Sequence, residues 1–404
     1  MTTAGAGKGP LKGVRVLDLT SVLMGPYTTQ IFADLGADVI KVESPTGDTT
    51  RFLPPGPADD CSAMFMNVNR GKRSLVLDLK QPAARDALVR MASQADVFIH
   101  SMRAKAIARL GLAYADLKLA NPNIIYANLY GYGRDGPYAD YPAYDDIVQA
   151  ASGIVDLQAA LSGGEPTYLA TVVADKVAGL TAAYAVIAAL FDRERSECGQ
   201  EIEVPMFETL ASFSMVEHLC GAMFDPPIGP TGYARALSPE RKPYRTRDGH
   251  IAVMIYNDRH WKNFFDAIGN PEWSQDPIFS SLRMRTQNIS KVLGHLGAVL
   301  AQRTTAEWME LFEKAQCPAM PVRSIDDLIE DPHLASVGFW HHCETPDGSI
   351  RMPGVPVRFS ETPGMAGRPG PRLGADSRDV LDEAGFSESE IEELLRPIEK
   401  DQAG

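Results

Sequence analysis

Cysteine is sparse and scattered in this chain. Five thiols, at Cys61, Cys198, Cys220, Cys317 and Cys343, are spread over 404 residues with no CxxC pair. An odd number at wide spacing excludes a disulfide framework and fits reduced thiols in the cytoplasm. Positive charge is also in deficit: 39 Lys and Arg face 52 Asp and Glu, a formal net charge of −13. That balance argues against nucleic acid and against an anionic membrane as partners. No signal peptide is expected, since residues 1–13 are small and polar without an apolar core. The most continuous apolar run, 177–191, falls short of a membrane span and is bounded by Lys176 and Asp192. It is expected to form a buried core helix. His341-His342-Cys343 offers metal-ligating side chains, but adjacent residues diverge in any regular element. A strand or loop is expected there, and no metal.

What the chain does have is alternation. Short apolar runs at 14–19, 37–42, 75–77, 97–99 and 124–127 suit strands, with helical patterns at 25–35, 82–92 and 107–119 between them. That spacing predicts an α/β fold with a parallel sheet covered on both faces. A further strand at 201–204 and a helix over 206–220 follow the apolar run. Pro and Gly then crowd 224–235, which marks a linker. Beyond it, 245–250 is a hairpin turn leading into a strand at 251–255, and 261–268 and 305–315 suit the amphipathic helices of a smaller domain. Residues 344–373 are Pro- and Gly-rich, as an extended return segment would be. Ser387 and Glu390 form a capping box for a last helix over 388–395.

Asp175 stands directly before the apolar run, in Ala174-Asp175-Lys176-Val177-Ala178-Gly179. A carboxylate at the head of a long helix meets about half a positive charge from open amides and the macrodipole. That field is expected to keep it ionised, as suits a nucleophile that attacks an activated acyl group. Asp is equally a common N-cap, and position alone does not separate the two roles. Gly131-Tyr132-Gly133-Arg134-Asp135-Gly136 fits the G-x-G-x-x-G dinucleotide pattern after a strand. Pro137 and Pro142 interrupt the helix it requires, and no acidic ribose ligand follows. An NAD-binding oxidoreductase is therefore the weaker alternative.

Several blocks carry a resemblance in order along the chain. They are Leu11-Lys12-Gly13-Val14-Arg15-Val16-Leu17-Asp18-Leu19-Thr20, Leu35-Gly36-Ala37-Asp38-Val39-Ile40-Lys41-Val42-Glu43, Asn69-Arg70-Gly71-Lys72-Arg73-Ser74, Arg109-Leu110-Gly111, Asp175-x-x-x-Gly179 and Ala267-Ile268-Gly269. Together they resemble the family III CoA-transferases, the CaiB/BaiF group that includes formyl-CoA transferase. The resemblance implies a Rossmann-like large domain over 1–222, a linker at 223–235 and a small α+β domain over 236–330. Residues 331–404 would return to complete the large domain. It implies an interlocked homodimer, acyl-CoA and a carboxylic acid as substrates, and no metal or redox cofactor. Asp175 would be the nucleophile, carrying CoA as an aspartyl thioester. Met24, Arg70, Lys72, Arg73, Ser101, Met102, Arg103, Arg109 and Tyr144 would contact the coenzyme, with solvated surface charge as the competing reading of each cation.

Departures from the pattern are informative. Ser101-Met102 replaces an Asn-Phe pair, and Ser44 replaces an Arg. The glycine-rich loop of formyl-CoA:oxalate transferases is missing, so oxalate and formate are not expected as the native acids. Arg235, Arg241 and Arg245 lie in its place, and with Arg51 they are candidates to hold a second carboxylate, such as that of succinate. An exposed linker is the competing reading. α-Methylacyl-CoA racemases pair the same Asp with a His in Gly-His-Asp, where this chain has Ala143-Tyr144-Asp145. A phenol, with an ordinary pKa of about 10, suits that second base poorly. Racemisation is the disfavoured alternative, and Tyr144 would instead line the acyl pocket.

Overall fold

The computed structural model describes residues 8–346 and 348–396. The expectations for residues 1–7 and for 397–404 lie outside the described residues. Six strands, β1 (Arg15–Leu19), β2 (Asp38–Glu43), β3 (Arg73–Val76), β4 (Val97–His100), β5 (Ile125–Tyr130) and β6 (Glu201–Pro205), form one parallel sheet in the order β3-β2-β1-β4-β5-β6. β4 and β5 are buried along their whole length, which is why they are apolar without alternation. Strand order reverses between β1 and β4. In doubly wound sheets the loops leaving such a pair open a crevice at the carboxyl ends.

Nine helices follow or connect these strands: α1 (Met24–Asp34), α2 (Ala63–Val68), α3 (Pro82–Ala92), α4 (Ala104–Arg109), α5 (Tyr114–Ala120), α6 (Asp145–Ala151), α7 (Ile154–Ser162), α8 (Val173–Ser196) and α9 (Met206–His218). The single helix expected over 107–119 is in fact two. Gly111 adopts a left-handed φ of 68° between them and ends α4. The apolar run is longer than its sequence suggests: α8 has 24 residues and, by length and composition alone, could cross a membrane. Here it packs on α1, β5 and β6.

The chain divides into two compact units. The larger comprises Met1–Ser152, Ala170–Phe213 and Leu334–Gly404, and the smaller Gly153–Leu169 and Ser214–His333. In the smaller unit β7 (Tyr244–Arg245), β8 (His250–Val253) and β9 (Ala319–Pro321) pair antiparallel. α10 (Asp258–Ala267), α11 (Leu282–Gln287), α12 (Ile289–Leu300) and α13 (Thr305–Lys314) accompany them. Trp261, Phe264, Phe279, Trp308 and Phe312 centre an aromatic core. Two short helices, α14 (Ile325–Ile329) and α15 (Pro332–Ser336), lead out of it. The return segment is not wholly extended, because β10 (Trp340–Thr345) and β11 (Gly348–Pro353) form a hairpin. It ends on α16 (Ser377–Glu383) and α17 (Glu388–Leu394), the latter with the expected Ser387–Glu390 capping box.

Charge is buried beneath the ends of β1 and β2. Asp18 pairs with Lys72 at 3.1 Å, Asp48 with Lys41 at 3.0 Å, and Glu43 with Arg51 at 2.6 Å, all six side chains being buried. Three anions and three cations leave the group neutral. Burial works against ionised Asp18, but Lys72 and Lys41 hold its carboxyl below the ordinary range. Burial likewise pushes Lys72 down to about 8 against the attraction of Asp18. Arg51 also stacks on Phe65 and donates to the Pro371 carbonyl, so the return segment is tied to the same group.

Removing one partner of a buried pair strands the other. Arg51→Met should therefore lower stability by about 3–5 kcal/mol, read from urea unfolding. Lys262→Met, which breaks the exposed pair with Asp266, should leave the midpoint where it is.

Candidate functional site

The loop from β1 to α1 is held from four sides. Asp18 accepts the Thr20 amide at 2.9 Å and its hydroxyl at 2.5 Å. Lys41 donates to the Thr20 carbonyl at 2.9 Å, and Lys72 to the Pro26 carbonyl at 3.0 Å. The Val22 amide donates to Asp48 at 3.2 Å. Val22 has a φ of 68°, a strained value for a β-branched residue and one that persists only where its surroundings impose it. α1 then begins at Met24 with no side-chain cap, so its first amides are open for other partners.

The Met24 amide donates to the carboxylate of Asp175. Gly179, one turn further along α8, makes this approach possible. A Cβ there would lie 2.8 Å from the Met24 carbonyl oxygen and 3.2 Å from the Tyr27 ring. Thr28 Oγ1 crosses the same contact and donates to the Gly179 carbonyl at 3.0 Å. The Asp-x-x-x-Gly spacing thus places the acid and the close helix crossing on one face of α8.

Two expectations for Asp175 are corrected. It is not the N-cap: Val172 holds that position without a side-chain bond, and Asp175 is the third helical residue. Nor does the helix field keep its carboxyl in the ordinary range. Burial first, and the neighbouring Asp145 second, push it up to about 7, with the Met24 amide pulling the other way. Asp145 opens α6, accepts the Asp175 amide at 3.1 Å through Oδ1, and accepts Gln149 Nε2 at 2.6 Å through Oδ2. The sequence comparison dwelt on the missing His at Tyr144 and gave the matching Asp145 no role. The available signal was an Asp directly after Tyr144 at a helix start.

The other candidates separate into two groups. Ser101, Met102 and Arg103 follow β4 across the switch point, and Ser101 Oγ accepts the Ser21 amide at 3.2 Å. Met102 donates its amide to His100 Nδ1 at 3.1 Å, while His100 Nε2 lies 3.0 Å from both Asn128 and Tyr126. Burial lowers His100 to about 4, so this anchor is neutral. Arg103 and Arg109 are exposed on α4 and form no ion pair among the described residues; Tyr144 is exposed as well. By contrast Arg51, Arg70 and Lys72 are buried, and their donors face Glu43, Asp34 and Asp18. Arg73 is half-buried between Asp38 and Glu383. Arg241 and Arg245 are exposed in the smaller unit.

The glycine loop after β5 is built against a pyrophosphate. Glu208 accepts the Gly133 amide at 2.9 Å and Glu203 that of Arg134 at 2.7 Å, and the next helix begins only at Asp145. Carboxylates occupy the amides that a dinucleotide would need.

Known proteins resemble this chain over most of its length. The acetyl-CoA:oxalate CoA-transferase of Acetobacter aceti is 36% identical, over 92% of this chain and 95% of that protein. The succinate–glutarate CoA-transferase of Agrobacterium fabrum is 34% identical, over 95% and 98%. A crystal structure of a mutant of Rv3272 from Mycobacterium tuberculosis superposes with a TM-score of 0.81 at 29% identity, over 93% of this chain and 99% of that one. The family model described as CoA-transferase family III matches residues 11–377, which include the β1–α1 loop, the Met24–Asp175 contact and the Gly179 crossing. The chain belongs to CoA-transferase family III.

Proposed function

We propose that this enzyme moves CoA from an acyl-CoA to a carboxylic acid through covalent attachment to Asp175. One observation carries the assignment of that residue. A buried carboxyl, raised to about 7, lies where the amide ends of α1 and α8 converge. Such a group is a stronger nucleophile than an ordinary carboxylate, and it is ionised in half the molecules near neutrality.

The reaction balances without a further reagent. Asp175 attacks the donor thioester carbonyl, the C–S bond breaks, and CoA thiolate leaves behind a mixed anhydride. The thiolate attacks the aspartyl carbonyl, expelling the donor's acid and leaving an aspartyl–CoA thioester. The acceptor carboxylate then repeats both steps in reverse. The Gly25 amide, in the first turn of α1 between Met24 and Pro26, is suited to stabilise the oxyanions.

Dicarboxylates are the favoured acids, because the relatives above are named for oxalate, succinate and glutarate. The expectation that oxalate is excluded is withdrawn on the same ground. For the coenzyme, the unpaired Arg103 and Arg109 are the cations free to meet phosphate, with the Ser101–Met102 main chain beside them. Arg51, Arg70 and Lys72 serve the frame rather than the ligand. Tyr144 and Met24 border the acyl group. We also propose an interlocked homodimer, supported by the apolar side chains that α8 exposes at Leu180, Tyr184 and Phe191.

With succinyl-CoA and glutarate, Asp175→Asn should lose at least about a thousandfold in turnover. Mass spectrometry of wild-type protein quenched with hydroxylamine should show label at Asp175; unlabelled protein would falsify the covalent route. The ratio kcat/KM should rise with pH through about 7, because only ionised Asp175 attacks. Asp145→Asn removes the like charge and should move that limb to lower pH; an unmoved limb would refute the pairing. Light scattering should give twice the 43.9 kDa chain mass, and a monomer peak would end the dimer proposal.

A further inference from the structure

The smaller unit contains a cleft of about 70 Å³ that the transfer chemistry leaves unexplained. A water needs about 10–15 Å³ by the same measure, so there is room for a small organic molecule. Its wall is mixed: Ile255, Trp261, Leu282 and Val292 are apolar, Tyr233, Tyr256 and Thr286 bring hydroxyls, and its charge comes from Arg235 and Arg285. No Asp or Glu lines it.

The two arginines are unequally satisfied. Arg285 is 3% exposed, donates through Nη1 to the Phe279 carbonyl at 2.9 Å, and pairs through Nη2 with Asp258. Its Nε is buried with no partner among the described residues. A buried donor left open costs free energy and calls for an explanation. Arg235 has no carboxylate partner among the described residues and donates to Met254 Sδ at 2.9 Å, a weak acceptor. With Asp258 balancing Arg285, the cleft carries one uncompensated positive charge. The basic stretch of the sequence is thereby split: Arg235 lines the cleft, while Arg241 and Arg245 face solvent.

We propose that this cleft binds the carboxylate of a short aliphatic acid, with Arg235 as donor and the alkyl chain against Trp261 and Leu282. A carboxylate offers the lone pairs that Arg235 needs, and the apolar side chains favour an aliphatic acid over inorganic phosphate. The site requires no covalent step.

Calorimetric titration of the full chain with succinate, with no CoA compound present, tests it. Wild type and Asp175→Asn should bind alike, and succinamide should not bind. Arg235→Met should weaken binding by at least about tenfold. Leu282→Trp, which fills the cleft from a half-exposed position, should abolish it, with circular dichroism confirming that both variants are folded. No heat with wild type, unchanged affinity in Arg235→Met, or phosphate binding as tightly as succinate would each overturn the proposal. So would loss of binding in Asp175→Asn, since the heat would then arise at the nucleophile.

Discussion

The neutral cluster of three buried acids and three buried bases beneath β1 and β2 is the constraint on which the site depends. Its members do not touch the reacting atoms. They hold the main chain of residues 20–26 from both ends, at the Thr20 amide and carbonyl, the Val22 amide and the Pro26 carbonyl. Val22 is kept in a conformation it would leave if freed, and α1 starts where its first amide meets Asp175. Apolar residues of similar volume would give comparable stability with less desolvation cost. They would not supply donors and acceptors to four points of one loop. Specific geometry is what the buried charge contributes here.

Part of this was legible in the sequence and part was not. The strands at 97–99 and 124–127 could be read because strands buried on both faces must be apolar throughout, and Pro82 at the head of α3 marks a helix start. The break at Gly111 was missed because apolar periodicity persists across it, and only the left-handed turn betrays the boundary. Asp175 could be singled out by its place before an apolar run. Its raised pKa could not, since that arises from burial and from Asp145, 30 residues away in sequence.

The cations show the same limit more sharply. Arg70 and Lys72 stand in a basic sequence block and Arg51 stands outside it, and composition makes no distinction between a phosphate ligand and an internal counter-ion. The distinction lies in their partners, Glu43, Asp34 and Asp18, which come from other strands and from α1. Arg103 and Arg109, equally plain in sequence, remain exposed and without ion pairs among the described residues. A motif that aligns with a binding block can therefore be a folding device, and which it is depends on where the acids fall in space.

On the proposed route through Asp175, the chemistry accounts for an acid held near neutrality rather than in the usual carboxylate range. Each half-reaction exchanges a thiolate for a carboxylate at one carbonyl carbon. An ordinary thiol has a pKa of about 8.5 and an ordinary carboxyl about 4, so a common carboxylate is much the better leaving group and reverts to thioester. Desolvation and Asp145 move Asp175 toward the thiolate in basicity, which narrows that gap and stabilises the anhydride against collapse. The same shift destabilises the folded protein at higher pH, since ionising Asp175 there opposes burial and a like charge. The helix amides offset part of that cost, and a site with only burial or only the amides would lose either the basicity or the ionised form.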